Sequence, residues 1–294
     1  MRSLRVLSII GIMLCIITAS AAAAPEKDVY IYKGDALSES GITVGSWGSG
    51  KATESKTKIL TGSYSISLIT QNLYAGGRLD FAEPVTLYTG GVDKTRYMIL
   101  TLFFQETQTI NPAAGAIYAF DIEPYVAPKA NKIRLVLVSD KGVKVSIEEP
   151  TNPVDPDDNW VRIGVPLEKL KAAGAGDEFK LKRLLMFSDT PSNIFIGEIK
   201  LADDASPIKV DSLESQVVAQ YDEVLFVTKA EGGVSSLKYA WDYDSSNGIQ
   251  ADSTGLVGRY VYTKSGEFTV TLTVSDADGI KAPVQVTSNI SVND

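Results

Sequence analysis

The residues best equipped for chemistry lie in one glycine-flexed stretch, Gln71-Asn72-Leu73-Tyr74-Ala75-Gly76-Gly77-Arg78. It combines an aromatic ring, two amides and a guanidinium. Such a set suits a polyhydroxylated ligand, because a ring can stack on an apolar face while amides and a cation bond hydroxyls. Trp47 offers a second ring, and its flanks of Gly45, Ser46, Gly48, Ser49 and Gly50 favour an exposed turn. Tyr118 and Tyr125, on either side of Asp121-Ile122-Glu123-Pro124, are further aromatic candidates. A separate group, Asp242, Asp244, Asn247 and Asp252, supplies hard oxygen donors at the short spacing that suits calcium. It lacks the spacing of an EF-hand loop, and Asx-rich turns between strands are its ordinary reading. Calcium apart, no cofactor is implied.

Composition excludes several other chemistries. The chain of 294 residues contains no histidine and one cysteine, Cys15. A Ser-His-Asp triad, a Cys-His pair, a His-ligated metal and a His general base are therefore absent. The 28 basic and 36 acidic residues give a formal charge of −8, which disfavours nucleic acid and anionic lipid as partners. Glycoside hydrolysis needs only carboxylates, so it survives this test. Yet nothing in the sequence marks a buried pair among Glu106, Asp121, Glu123, Glu148 and Glu149.

The N-terminus reads as a targeting segment. Arg2 and Arg5 precede an apolar run, Val6 to Thr18, and then Ser20-Ala21-Ala22-Ala23-Ala24-Pro25. The run is short for a spanning helix, and the small residues fit a signal-peptidase site. A signal peptide over residues 1–23 is expected, with cleavage after Ala22 or Ala23 and no membrane insertion afterwards. Its loss removes Cys15, so an exported chain would rely on its apolar cores without a disulfide.

The elements that must hold the candidate residues are strands. Short β-branched and aromatic runs recur between Gly, Asn, Asp and Pro, as in Val29-Tyr30-Ile31-Tyr32 and Lys132-Ile133-Arg134-Leu135-Val136-Leu137-Val138. Ser63–Ile69 and Phe268–Val274 alternate strictly, as strands with one wet face do. One short helix is expected over 166–173, opened by Pro166 and ended by Gly174. About ten strands before residue 203 and six or seven after it predict an all-β protein. Glu148 to Asn159, with prolines at 150, 153 and 156, predicts an extended solvated loop. The acidic, proline-punctuated Ala202-Asp203-Asp204-Ala205-Ser206-Pro207 separates a first domain, 27–203, from a second, 207–294.

Both domains resemble known families. Tyr239-Ala240-Trp241-Asp242-Tyr243-Asp244 and Arg259-Tyr260-Val261-Tyr262, continuing through Gly266-Glu267-Phe268-Thr269-Val270-Thr271-Leu272-Thr273-Val274-Ser275-Asp276 to Gly279, are similar to the two signature elements of PKD domains. Arg259-Tyr260 departs from the His of many members, and the Asp244–Asp252 loop is longer. The resemblance implies a smaller immunoglobulin-like β-sandwich, used as a spacer or interaction module in extracellular proteins, with Trp241 in its core. Gly62-Ser63-Tyr64-Ser65-Ile66-Ser67, Asn159-Trp160-Val161-Arg162-Ile163-Gly164-Val165-Pro166-Leu167 and Phe195-Ile196-Gly197-Glu198-Ile199-Lys200-Leu201 resemble the galactose-binding-like jelly rolls among carbohydrate-binding modules. Gly197-Glu198 stands where those domains usually carry an Asp pair, so their structural calcium is not expected here. Trp160 is assigned to the core.

The expected fold is thus a jelly-roll β-sandwich followed by a smaller immunoglobulin-like sandwich. The expected function is an exported, non-catalytic protein that binds a polysaccharide or cell-surface glycan through Trp47, Gln71, Asn72, Tyr74 and Arg78. The alternative is a structural or adhesive protein whose partners are other extracellular proteins.

Overall fold

The computed structural model describes residues 28–105, 130–151 and 160–294. The expected signal peptide, Glu106, Tyr118, Asp121, Glu123 and Tyr125 lie outside the described residues, as does most of the proline-rich loop.

The first domain is built from β1 (Val29–Tyr32), β2 (Ile42–Trp47), β3 (Lys51–Ser55), β4 (Ser65–Thr70), β5 (Gly76–Thr89), β6 (Arg96–Gln105), β7 (Lys132–Ser139), β8 (Lys144–Pro150), β9 (Trp160–Pro166), β10 (Glu178–Ser188) and β11 (Ser192–Asp203). One sheet runs β3-β4-β11-β6-β9, with β1 also on β11, and the other runs β2-β5-β10-β7-β8. Every pairing within these two sheets is antiparallel. Alternation fills the space between them: Ile133, Leu135 and Leu137 of β7 meet Ile66 and Leu68 of β4 and Leu100 and Leu102 of β6 in one apolar core. On β7 the alternate residues Arg134, Val136 and Val138 lie half-buried on the opposite, outer face. After β9 a short helix, Leu167–Leu170, buries Leu167 and Leu170 and passes into a wider turn, Lys171–Ala175. Gly174 sits there at φ 90°, a conformation other residues rarely adopt.

The second domain contains β12 (Lys209–Val210), β13 (Gln216–Ala219), β14 (Glu223–Val227), β15 (Ala230–Glu231), β16 (Leu237–Asp242), β17 (Ser253–Thr254), β18 (Val257–Val261), β19 (Gly266–Asp276) and β20 (Val284–Asn293). Its main sheet runs β13-β20-β19-β16-β17, and β14 pairs with β18 in a second layer. Trp241 and Tyr243 pack against Phe226 between the layers, with ring centroids 5.8 and 5.6 Å away. Trp241 Nε1 donates to the Gly255 carbonyl at 2.8 Å, so the buried indole leaves no donor unpaired.

The segment predicted to separate the domains is a packed joint. β11 runs to Asp203, and Asp204 is buried, its carboxylate 2.7 Å from the equally buried Lys281 ammonium. Asp204 also accepts from Val234 N–H at 2.7 Å, and Lys281 donates to the Gly232 carbonyl at 2.5 Å. Tyr97, Ile99 and Ala202, on the outer face of the first domain, are covered by Val234 and Ile280 of the second. This explains why almost all of β6 is buried, a pattern that alternation alone would not give. Gly164 lets the second domain approach, because a Cβ there would come within 2.7 Å of the Val234 carbonyl oxygen.

Glu148 to Pro150 belong to β8 and not to the expected solvated loop, and Glu149 is 1% exposed at this joint. The reason is tertiary: Lys169 reaches it at 2.6 Å and also contacts Asp278 of the second domain at 3.0 Å. Burial pushes the Glu149 carboxyl up to about 7, against the pull of Lys169 and helped by Asp278 and Asp276. In the unfolded chain it ionises near 4.5. Between those values the folded chain holds a proton that the unfolded chain has lost, so stability falls as pH rises through the window. Thermal unfolding followed from pH 4.5 to 8 should show this decline, and Glu149→Gln should flatten it. An unchanged slope in the variant would mean that Glu149 ionises normally.

Candidate functional site

The five-stranded sheet turns one face to the core and the other to solvent. Register arranges its outer side chains in three rows. Trp47 lies opposite Gly76, which is followed across the sheet by Phe187, Arg134 and Glu148. The next row is Gly45, Arg78, Leu185, Val136 and Ser146, and the third is Thr43, Asp80, Arg183, Val138 and Lys144. A groove of about 270 Å³ runs over this face, with Leu185, Val136 and Val138 in its lining and Trp47 and Tyr74 at one end.

Local sequence explains how the two rings arrive there. β2 ends at Trp47, and Gly48 at φ 60° turns the chain so that Gly50 N–H donates back to the Trp47 carbonyl at 3.2 Å. Trp47 is left at the sheet corner, 42% exposed. Residues 71–75 form a tight loop in which Gln71 N–H donates to the Ala75 carbonyl at 2.9 Å. The Asn72 side chain accepts from Tyr74 N–H at 2.8 Å, an Asx turn that presents the Tyr74 ring 73% exposed. Gly76 permits the crossing that follows, since a Cβ there would collide with the Met186 carbonyl.

Arg134 ties this loop to the sheet. Its guanidinium donates through Nη1 to the Leu73 carbonyl at 2.8 Å and through Nε to Ser146 Oγ at 2.9 Å. It also stands 5.0 Å from the Tyr74 ring centroid and 5.5 Å from that of Phe187. Arg134 is thus the residue that positions Tyr74. In the third row, Asp80 lies between two cations: Arg78 Nε at 2.7 Å and Arg183 Nε at 2.5 Å. Gly45 makes room for Arg78, whose terminal nitrogen would lie 3.0 Å from any Cβ at that position.

The five residues named from sequence are therefore close together in the fold, but their tasks differ. Trp47 and Tyr74 present faces to solvent. Gln71 is exposed, Asn72 spends its side-chain oxygen on the turn, and Arg78 is held by Asp80. Sequence reasoning missed Arg134, Arg183 and Lys144. The alternation Arg134-Leu135-Val136-Leu137 does place Arg134 on the wet face of its strand, but only register brings it beneath Tyr74.

The four oxygen-bearing residues offered for calcium all take part in hydrogen bonds of their own loop. Asp242 accepts from the Asp244 and Gln250 amides at 3.0 and 2.8 Å, Asp252 from Tyr243 N–H at 2.9 Å, and Asp244 from Ser246 N–H at 3.1 Å. Asn247 pairs with the Gln250 side chain at 3.2 Å. The carboxylates cap their own loop, and among the described residues no group of three or more His, Cys, Asp or Glu could hold a metal ion. The assignment of Trp160 to the core is corrected. The residue lies half-buried on the outer face of its sheet, edge-on to Phe103 at 5.5 Å, where Gly197 leaves space for its ring.

Among the described residues no helix is long and apolar enough to cross a membrane. No curated protein matches the chain. One solved structure, the M60 catalytic domain with the CBM51-1 and CBM51-2 domains of ZmpB from Clostridium perfringens, is similar at 13% identity with a TM-score of 0.18. The match covers 92% of this chain and 23% of that one, and likeness at this level carries no argument about either fold or ligand. The C-terminal sandwich gives a firmer comparison: residues 204–292 match the PKD domain family.

Proposed function

We propose that this is an exported, non-catalytic glycan-binding protein whose first domain holds the glycan on the outer face of its five-stranded sheet. The observation that carries the reading is the pair of solvent-facing rings, Trp47 and Tyr74, at the end of a groove bordered by hydrogen-bond donors. Rings on an open groove can stack on successive sugar faces, and side-chain donors satisfy the hydroxyls. Hydrolysis would need two carboxylates about 5–10 Å apart across a cleft. Among the described residues no carboxylate lines the groove, and nearby Asp80 is held between two guanidiniums. The PKD-like domain is a spacer fixed at a set angle by its buried joint.

Affinity electrophoresis of residues 24–294 through gels containing different polysaccharides tests this. Retardation by at least one glycan is the expected result; free migration through all of them would remove the reading. A second reading, adhesion through protein contacts, is favoured by one observation. Leu225 and Val227 of β14, Val257 and Val261 of β18 and nearby Val217 are all exposed on the second domain. Sedimentation velocity over a wide concentration range would reveal the self-association which that reading includes.

A further inference from the structure

We infer that the groove is built for an acidic glycan, one whose sugars carry carboxylate or sulfate groups. The inference rests on the glycan-binding reading and adds the charge class of the ligand.

A guanidinium only donates, and so does an ammonium. Arg78, Arg134, Arg183 and Lys144 bring four cations to one sheet face, on a protein whose formal charge is −8. Among the described residues their counter-charges on that face are few. Glu148 is engaged by Lys132 at 2.8 Å, at the far edge, which leaves Asp80 to balance the rest. Arg183 Nε donates to Asp80, Arg78 Nε stands 2.7 Å from the same carboxylate without a hydrogen bond, and among the described residues the terminal nitrogens of both make no hydrogen bond. Among the described residues Lys144, which lines the groove, has no ion pair. The hydroxyls of a neutral sugar would accept from these donors but leave the positive charge of the face unbalanced. Carboxylate or sulfate oxygens accept only, and a planar carboxylate matches the fork of a guanidinium.

The floor strengthens the case. Leu185, Val136 and Val138 run beneath the cations, so part of each charge contact is made over apolar surface, where it is less screened than in water. Arg183 faces this groove because β10 carries a bulge between Leu181 and Arg183. Before the bulge Phe179 and Leu181 point inward; after it Leu184 and Met186 do, and Arg183 joins the outer face. The extra residue sets the cation at the groove.

Titration calorimetry of residues 24–294 with four probes tests the inference: polygalacturonate, the same polymer fully methyl-esterified, a sulfated galactan and a neutral galactan. The expected result is binding of an acidic polymer at least tenfold tighter than of the neutral ones, weakening as NaCl is raised. Arg183→Met should lower that affinity about tenfold at unchanged melting temperature, and Arg183→Lys should recover part of it. Preference for the sulfated galactan over polygalacturonate would support the acidic class with sulfate as its source. Equal affinity for acidic and neutral polymers, unaffected by Arg183→Met, would overturn the charge inference while leaving glycan binding in place. Binding of none of the four, with no retardation in any gel, would overturn both.

Discussion

Asp204→Ala should destabilise the protein by about 3–5 kcal/mol, the cost of leaving a buried charge without its partner. Lys281 would keep its ammonium in the joint with only the Gly232 carbonyl at 2.5 Å, and Val234 N–H would lose its acceptor. Burial alone would raise the Asp204 pKa, but Lys281 and the Val234 and Ser206 donors hold it below the usual carboxylate range. Its contribution is therefore present at neutral pH and lost as pH falls through that lowered value, opposite in sign to the effect of Glu149. The double change Asp204→Asn with Lys281→Met removes both charges, keeps an acceptor and should restore most of the loss. Denaturant titrations of both variants check this. A single variant within 1 kcal/mol of the native chain would show that the joint is open to water.

Removal of the two exposed rings, Trp47→Ala with Tyr74→Ala, should reduce glycan affinity by a hundredfold or more. Each ring lost from a stacked, partly desolvated contact is worth on the order of 1–2 kcal/mol, hence about tenfold apiece. The folded state should tolerate both changes, since the rings are 42% and 73% exposed and hold no core position. Arg134→Met gives a related but distinct outcome. It leaves both rings present but frees the Leu73 carbonyl and removes the cation 5.0 Å from Tyr74. Affinity should fall less than in the double variant, together with a loss of order in residues 71–75. Calorimetry for binding and amide exchange for the loop separate the two effects.

How far the sequence discloses this account depends on the element. β7 and the first half of β8 alternate cleanly, and the burial of Ile133, Leu135, Leu137, Val145 and Ile147 follows from residue type alone. The turn glycines around Trp47 and the Asx turn before Tyr74 are local devices, so the exposure of those rings follows from neighbours within five residues. Leu181-Lys182-Arg183-Leu184-Leu185-Met186 is different. Its parity changes at a bulge set by pairing with β5 and β7, and no local pattern announces it. The same holds for Glu149 and Asp204. Each sits in a polar stretch with the composition of a loop or linker, and each is buried because the second domain packs over it. In the Asp242–Asp252 loop the residue types fit an ion, and the structure adds that backbone amides bond the same oxygens.

The claim on which the rest depends is that the ligand lies across the outer face of the five-stranded sheet. Hydroxyl-radical footprinting of residues 24–294, with and without the glycan retained most strongly in the gels, addresses it directly. The account predicts protection of Trp47 and Tyr74, with little change at Val217, Leu225 and Val227. Protection of the second-domain valines, with Trp47 and Tyr74 still fully reactive, would contradict it and move the binding surface to the other sandwich.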